Sequence, residues 1–218
     1  MTPPEAPARG AGTLKISDLE CIRGDAMVFR RLNFDIHAGE ILQVTGGNGS
    51  GKTSLLRILS GLARPTAGSV EWNGADIEND RAAWQSSVSY LGHLNGATAA
   101  LSPRENLSYA AALASQPSAT NIDEALKRVG LAHLADTPAA RLSAGQRQRI
   151  ALARLVRHPT PIWILDEPLT ALDGSAKRLV EDLLAEHIAR RGLAVVSTHQ
   201  SLTTASHAVR QLELNPSQ

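Results

Sequence analysis

Gly46-Gly47-Asn48-Gly49-Ser50-Gly51-Lys52-Thr53 constrains this chain more than any other segment. The run fits G-x-x-x-x-G-K-[ST] in full, and its flanks fit too. Ile41 to Thr45 reads as a short apolar strand, and Gly51 to Leu59 as a helix with Leu55, Leu56 and Leu59 on one face and Gly61 as its stop. Glycines let the backbone curl until successive N–H groups face an anion, and the helix N-terminus adds the positive end of its dipole. The pattern therefore predicts a phosphate cradle made of Gly46, Gly47, Asn48, Gly49, Ser50, Gly51 and Ser54. Lys52 reaches the β- and γ-phosphates of a nucleotide, and the Thr53 hydroxyl ligates Mg²⁺.

A cradle of this kind needs an acid from a neighbouring strand. Ile162-Trp163-Ile164-Leu165-Asp166-Glu167 supplies one, an apolar run ending in two carboxylates at the strand end where α/β sheets bind ligands. Asp166 is the candidate Mg²⁺ holder, through water. Glu167 is the candidate base for an attacking water.

Around these two motifs the chain alternates. Leu14, Ile16 and Leu19 suggest one strand, and Leu32, Phe34 and Ile36 alternate with polar residues in a second. Val70 to Trp72 followed by Asn73-Gly74 predicts a strand and a tight turn, and Val88 to Leu91 another strand. From about 95 to 142 the character changes to Ala-, Leu- and Ser-rich sequence without strands. Ser102-Pro103-Arg104-Glu105 is a capping box with proline at the first helical position, and Val129-Gly130 is a stop. Further on come a helix from Ser143 to Arg157, a strand at Ile162 to Leu165, a helix over roughly 175 to 189, and a strand at Ala194 to Ser197. This order describes an α/β domain interrupted by a helical insertion.

The chain's 218 residues suffice for one generous domain, and 43% apolar content can fill its core. Twenty-two basic against twenty-one acidic residues argue against nonspecific nucleic-acid binding, which needs a strong positive surplus. The single cysteine, Cys21, excludes an internal disulfide and suits a buried strand position in a reducing compartment. Residues 1–12, rich in Pro, Ala and Gly, read as a disordered leader without the apolar core of a signal peptide. No run approaches the roughly 18 apolar residues of a spanning helix. The expectation is a cytoplasmic protein whose membrane role, if it has one, comes through a partner.

Leu142-Ser143-Ala144-Gly145-Gln146 resembles the signature motif of the ATP-binding-cassette family, with Ala144 where glycine is commoner. The succession of phosphate loop, helical insertion, signature, Asp-Glu strand, Ala171-Leu172-Asp173 and then His199 after a strand is similar to the complete cassette over about Leu14 to Leu214. The resemblance implies a P-loop NTPase fold with a RecA-like core, an N-terminal antiparallel β subdomain and an α-helical subdomain inserted at about 95–142, within one domain over 13–218. It also implies a head-to-tail homodimer with each ATP between the P-loop of one subunit and Ser143, Ala144, Gly145 and Gln146 of the other. Asp173 would sit at the seam, and His199 would hydrogen-bond the γ-phosphate. Two positions depart from the family pattern. Arg23, before Gly24, stands where an aromatic ring usually stacks on adenine, and a guanidinium plane can stack there instead. His93 stands in the loop that usually carries a metal-contacting glutamine, where a neutral imidazole can accept a hydrogen bond or bind metal.

Tyr90-Leu91-Gly92-His93, Glu105-Asn106-Leu107, Trp163 to Pro168 and Ser197-Thr198-His199-Gln200 together resemble the ATP-binding subunits of the cytochrome c maturation haem exporter. That resemblance implies a peripheral subunit on the cytoplasmic face of the bacterial inner membrane, beneath integral membrane permease subunits. There, ATP hydrolysis is linked to haem delivery and to release of a haem-loaded chaperone. The 93–109 region, joining the insertion to the ATP-sensing loop, is the expected contact with those partners. The ATPase of another small exporter would share every nucleotide-binding residue. A cassette protein acting on DNA or ribosomes usually carries coiled-coil insertions or two fused cassettes, and neither is present.

Overall fold

The computed structural model of the chain describes residues 12–92, 96–113, 120–170, 172–202 and 209–215. The expected leader, apart from Gly12, and His93 lie outside the described residues.

Strands β1 (Thr13–Arg23) and β2 (Ala26–His37) form a hairpin closed by Gly24-Asp25. Gly24 takes φ 58° at the first central position, as a type II′ turn requires. β4 (Ala67–Trp72) pairs with β1, and the two-residue β5 (Ala75–Asp76) returns through Asn73-Gly74, both at positive φ, to close an antiparallel sheet ordered β2-β1-β4-β5. The second sheet is parallel and ordered β6-β7-β8-β3-β9. It holds β3 (Ile41–Thr45), β6 (Val88–Leu91), β7 (Ile162–Asp166), β8 (Leu193–Ser197) and β9 (Val209–Glu213).

Parallel strands are buried on both faces, and their alternating side chains enter two different cores here. Ile162 and Ile164 of β7, Leu193 and Val195 of β8, and Leu42 and Val44 of β3 pack with the antiparallel sheet and with α1 (Lys52–Leu59). Trp163, Leu165, Ala194, Val196 and Ile41 pack on the opposite side against α5 (Ala144–Arg157), α6 (Gly174–Ala189) and the helical region between β6 and α5. That region holds α3 (Pro103–Leu113), α4 (Ile122–Arg128) and two short 3₁₀ turns, without a strand among its described residues. Ser102 caps α3 as expected, with its N–H donated to Glu105 at 2.8 Å and the Glu105 N–H returned to its hydroxyl at 3.3 Å. The Ser102 N–H first, and the Ser102 hydroxyl second, hold the Glu105 carboxyl below its ordinary pKa. The buried Arg157 of α5 donates to the carbonyls of Leu107 and Thr120, fastening the helical region to the core.

Helix α1 starts one residue later than the periodicity suggests, because Gly51 is left-handed at φ 99° and serves as its N-cap. It ends in a Schellman motif: Gly61 at φ 71° donates to Ile58 O and Leu62 N–H to Arg57 O. Two elements have no counterpart in the sequence expectation. Helix α2 (Arg81–Ser86) is a short turn capped by Asp80 and anchored by Trp84, whose indole N–H donates to Leu59 O. β9 is the edge strand beyond β3.

His187 of α6 is buried, stacked on Trp163 at 4.1 Å between ring centroids, with Nε2–H donated to Leu193 O at 3.0 Å. Burial lowers its pKa to about 4. The unfolded chain binds a proton there below about pH 6.5 while the folded one does not, so stability is lost as pH falls from about 6.5 to about 4, by up to about 3 kcal/mol. Urea unfolding followed against pH should carry this slope in the wild type, and His187→Leu should flatten it.

Candidate nucleotide site

Three adjacent strands, β7, β8 and β3, end at the same edge of the parallel sheet, and each end supplies part of one cleft. β3 runs into the Gly46–Thr53 loop. A Cβ on Gly46 would stand 2.5 Å from Leu214 O and 2.6 Å from Ser50 Oγ, and one on Gly51 would stand 2.4 Å from Val28 Cγ1. Only glycine fits these two contacts. Lys52 is largely buried and donates to the carbonyls of Gly46 and Gly47 at 2.8 and 3.0 Å, which holds its ammonium over the loop. The Ser50 hydroxyl is buried and has no hydrogen-bond partner among the described residues, an unmet polar group in a loop shaped for an anion.

β7 delivers Asp166, only 2% exposed. Its Oδ2 accepts from the Thr53 hydroxyl at 2.8 Å and its Oδ1 from the Ser197 hydroxyl at 2.5 Å. The next residue, Glu167, is left-handed at φ 52°, uncommon and unfavourable for a residue with a Cβ. Its N–H is held by both the carbonyl and the hydroxyl of Ser197, at 3.0 and 3.1 Å. The Glu167 carboxylate stands 3.5 Å from Nε2 of His199, which follows β8 and has a half-exposed side chain, and it accepts from Thr170 Oγ1 at 3.4 Å.

The cleft encloses about 410 Å³ and is lined by Val28, Asn48, Gly49, Gly51, Lys52, Thr53, Ser54, Asp166, Glu167 and His199. One carboxylate and one hydroxyl, 2.8 Å apart beside a phosphate cradle, form the hard oxygen set suited to Mg²⁺ shared with phosphates. No cluster of three or more His, Cys, Asp or Glu able to hold a metal occurs among the described residues. Tyr90 stands nearby on β6, its hydroxyl pKa raised by burial first and by the Asp166 charge second.

The remaining expected residues lie elsewhere. Arg23 is exposed at the tip of the β1–β2 hairpin, outside the cleft lining, its side chain without a hydrogen-bond or ion-pair partner among the described residues. Ser143 is the N-cap of α5, where the capping box forms in full: Gln146 N–H donates to Ser143 Oγ at 3.1 Å, and Ser143 N–H to Gln146 Oε1 at 2.8 Å. Ser143 and Ala144 are exposed and Gly145 and Gln146 partly so, all away from this chain's own cleft lining. Asp173 caps α6, accepting from Ala176 N–H at 2.8 Å and Ser175 Oγ at 2.7 Å. These bonds, the backbone one first, lower its pKa. Sequence reasoning missed Val28, whose methyl group meets the loop at Gly51, and Gln43, a buried amide in an apolar strand. Ser197 reads in the sequence only as a strand end and as part of the Ser197-Thr198-His199-Gln200 run, with no role of its own.

A family model described as ABC transporter matches residues 29–170. The chain belongs to the ABC transporter ATPase family, whose members bind and hydrolyse ATP. It is 51% identical over 185 residues to a protein of Methylococcus capsulatus named cytochrome c biogenesis ATP-binding export protein CcmA, covering 84% of this chain and 89% of that one. Proteins of the same name from Yersinia pestis and Rhodospirillum rubrum are 44% and 45% identical over 91% and 96% of the chain, and 91% and 88% of their own lengths. Among solved structures, an ABC transporter ATP-binding protein from Pyrococcus furiosus has a TM-score of 0.77 at 26% identity, over 93% of this chain and 97% of that one. A dimeric ATP-binding cassette in a post-hydrolysis state, bound to ADP and Pi, has a TM-score of 0.81 at 24% identity over 93% and 94%, a likeness of fold.

Because the α5 cap is exposed and internally complete, Ser143→Ala should cost about 1 kcal/mol of stability. Thermal unfolding checks this, and nucleotide affinity of the isolated chain should stay unchanged.

Proposed function

We propose that this ATPase hydrolyses MgATP as one half of an ATP-bound homodimer and drives integral membrane partners in cytochrome c maturation, where its work is haem export and release of a haem-loaded chaperone. The observation that carries the ATPase half is the meeting of Lys52, the Thr53–Asp166 pair and the Glu167–His199 pair in one cleft. The cytochrome c half rests on the names borne by relatives that match most of the chain.

In this reading the N–H groups of the loop and the Lys52 ammonium bind the β- and γ-phosphates. Thr53 and Asp166 hold Mg²⁺, which neutralises phosphate charge. Glu167 orients the attacking water and takes its proton, and His199 donates to the γ-phosphate beside it. Ser143, Ala144, Gly145 and Gln146 of a second subunit close over the nucleotide, Asp173 lies at the seam, and Arg23 lies against the base.

The partner is an integral membrane permease, with the chain held peripherally on the cytoplasmic face of the inner membrane. No described helix is long and apolar enough to cross a membrane. Tyr109 and Leu113, one turn apart on α3 and 59% and 69% exposed, present an apolar strip in and just beyond the 93–109 region. Substituting both with serine should uncouple ATPase activity from the membrane partner and leave nucleotide affinity unchanged, and lost affinity would overturn that assignment.

Lys52→Ala should abolish nucleotide binding and turnover together. Glu167→Gln should keep ATP bound, trap the dimer and cut turnover by about a hundredfold or more, since only the base is lost. Full turnover in that variant would exclude Glu167 as the base. Membrane pull-down of the Glu167→Gln protein with ATP should recover cytochrome c maturation membrane subunits and the haem-loaded chaperone. Recovery of a different permease would keep the ATPase reading and discard the haem one.

A further inference from the structure

Gln43 is out of character with its surroundings. It sits in the middle of β3, between β8 and β9, in the run Ile41-Leu42-Gln43-Val44, and it is only 4% exposed. A primary amide in such a place costs free energy unless its hydrogen bonds are made. Its Nε2 donates to Gln200 O at 3.0 Å and to Thr198 O at 3.4 Å. Both partners are carbonyl acceptors, so the amide nitrogen must face them.

These two carbonyls flank His199. The segment has just left β8, whose ladder with β3 ends at the Val44–Ser197 pair, so strand pairing no longer fixes it. The Thr198 hydroxyl, accepting from Gln200 N–H at 3.1 Å, tightens the same turn. Among the described residues, the His199 side chain has no polar contact other than the 3.5 Å approach to Glu167. Its position therefore depends on its backbone, and Gln43 is the side chain gripping that backbone on both sides.

We propose that Gln43 is a positioning residue of this ATPase, fixing the Thr198–Gln200 turn and thereby the place of His199 against Glu167. The inference rests on the reading of Glu167 and His199 as the water-side pair of the cleft. Gln43 does not line the cleft, so its effect falls on turnover and not on nucleotide binding. A displacement of His199 by a fraction of an ångström is enough to matter, because rates fall steeply with misplacement of reacting groups.

Gln43→Met keeps the length of the side chain and removes both N–H donors. It should lower kcat about tenfold while KM for ATP and nucleotide affinity stay within about twofold of wild type. In a His199→Ala background the same change should have almost no further effect, since the two residues act through one group. An equal loss of kcat in both backgrounds, a parallel loss of nucleotide affinity, or unaltered kcat would each overturn the proposal. If His199→Ala alone leaves turnover intact, the reading of the cleft fails and this proposal with it. Unaltered kcat in Gln43→Met beside a crippled His199→Ala overturns only this proposal. A measurement on the unmutated protein guards against a variant that does not fold: the Gln43 side-chain amide protons should exchange slowly with solvent, and rapid exchange would overturn the grip.

Discussion

Asp166 is a carboxylate taken almost entirely out of water, and the organisation of the cleft follows from how it is satisfied. An unpaired buried carboxylate costs several kcal/mol, so each of its oxygens must meet a donor. One donor is Thr53 on α1 and the other is Ser197 on β8. Those bonds tie the phosphate loop to β7 and β7 to β8. They exist only in one register, with Asp166 opposite Ser197 and Ser197 opposite Val44. A slip of one residue would turn Ser197 to the other face of the sheet and strand the carboxylate. The buried apolar residues on either side forbid that slip, since Ile164 and Leu165 belong to different cores. Register, core and site are one constraint.

The same row explains Glu167. An ordinary residue at φ 52° costs about 1 kcal/mol or more relative to the usual regions, and glycine would avoid the cost. Glycine has no carboxylate. The chain keeps the side chain and secures the conformation by letting Ser197 accept the Glu167 N–H through both its carbonyl and its hydroxyl. A strained backbone braced in this way, at the mouth of a phosphate cradle, is the arrangement expected where a side chain must be aimed.

Local chemistry made much of this legible from sequence. Val88–Leu91 forms over the residues expected, both serine capping boxes close, and Gly61 and Gly130 end their helices at φ 71° and 73°. Each of these is decided within a few residues. What escaped is decided at a distance. β9 has only Val209 and Leu212 half-buried, three positions apart instead of alternating, and becomes a strand only because β3 offers a parallel edge. Helix α2 is six residues, too short for periodicity, and depends on Trp84 reaching Leu59 O. Gln43 in sequence is a polar residue in an apolar run, and its reason lies 155 and 157 positions away. The motifs marked residues that line the cleft; the residues packed behind them carry no motif.

On the proposed reading the site is also divided between two chains. One chain supplies a cleft whose loop concentrates positive potential: the N-terminus of α1, the Lys52 ammonium and inward-facing N–H groups. The exposed signature at the N-terminus of α5 is positive too, its first turn followed by Arg147, which donates to Leu142 O, and preceded by Arg141. Two such ends repel when nothing lies between them, and in a low-dielectric interface the repulsion grows. On the proposed reading a triphosphate offsets it, accepting from both ends at once. Closure of the dimer would then depend on the number of phosphate charges held between the two ends, and cleavage of the γ-phosphate would weaken the seam by the same electrostatics that formed it. A chain with nearly balanced charge has no general attraction for its own copy that could substitute for that anion.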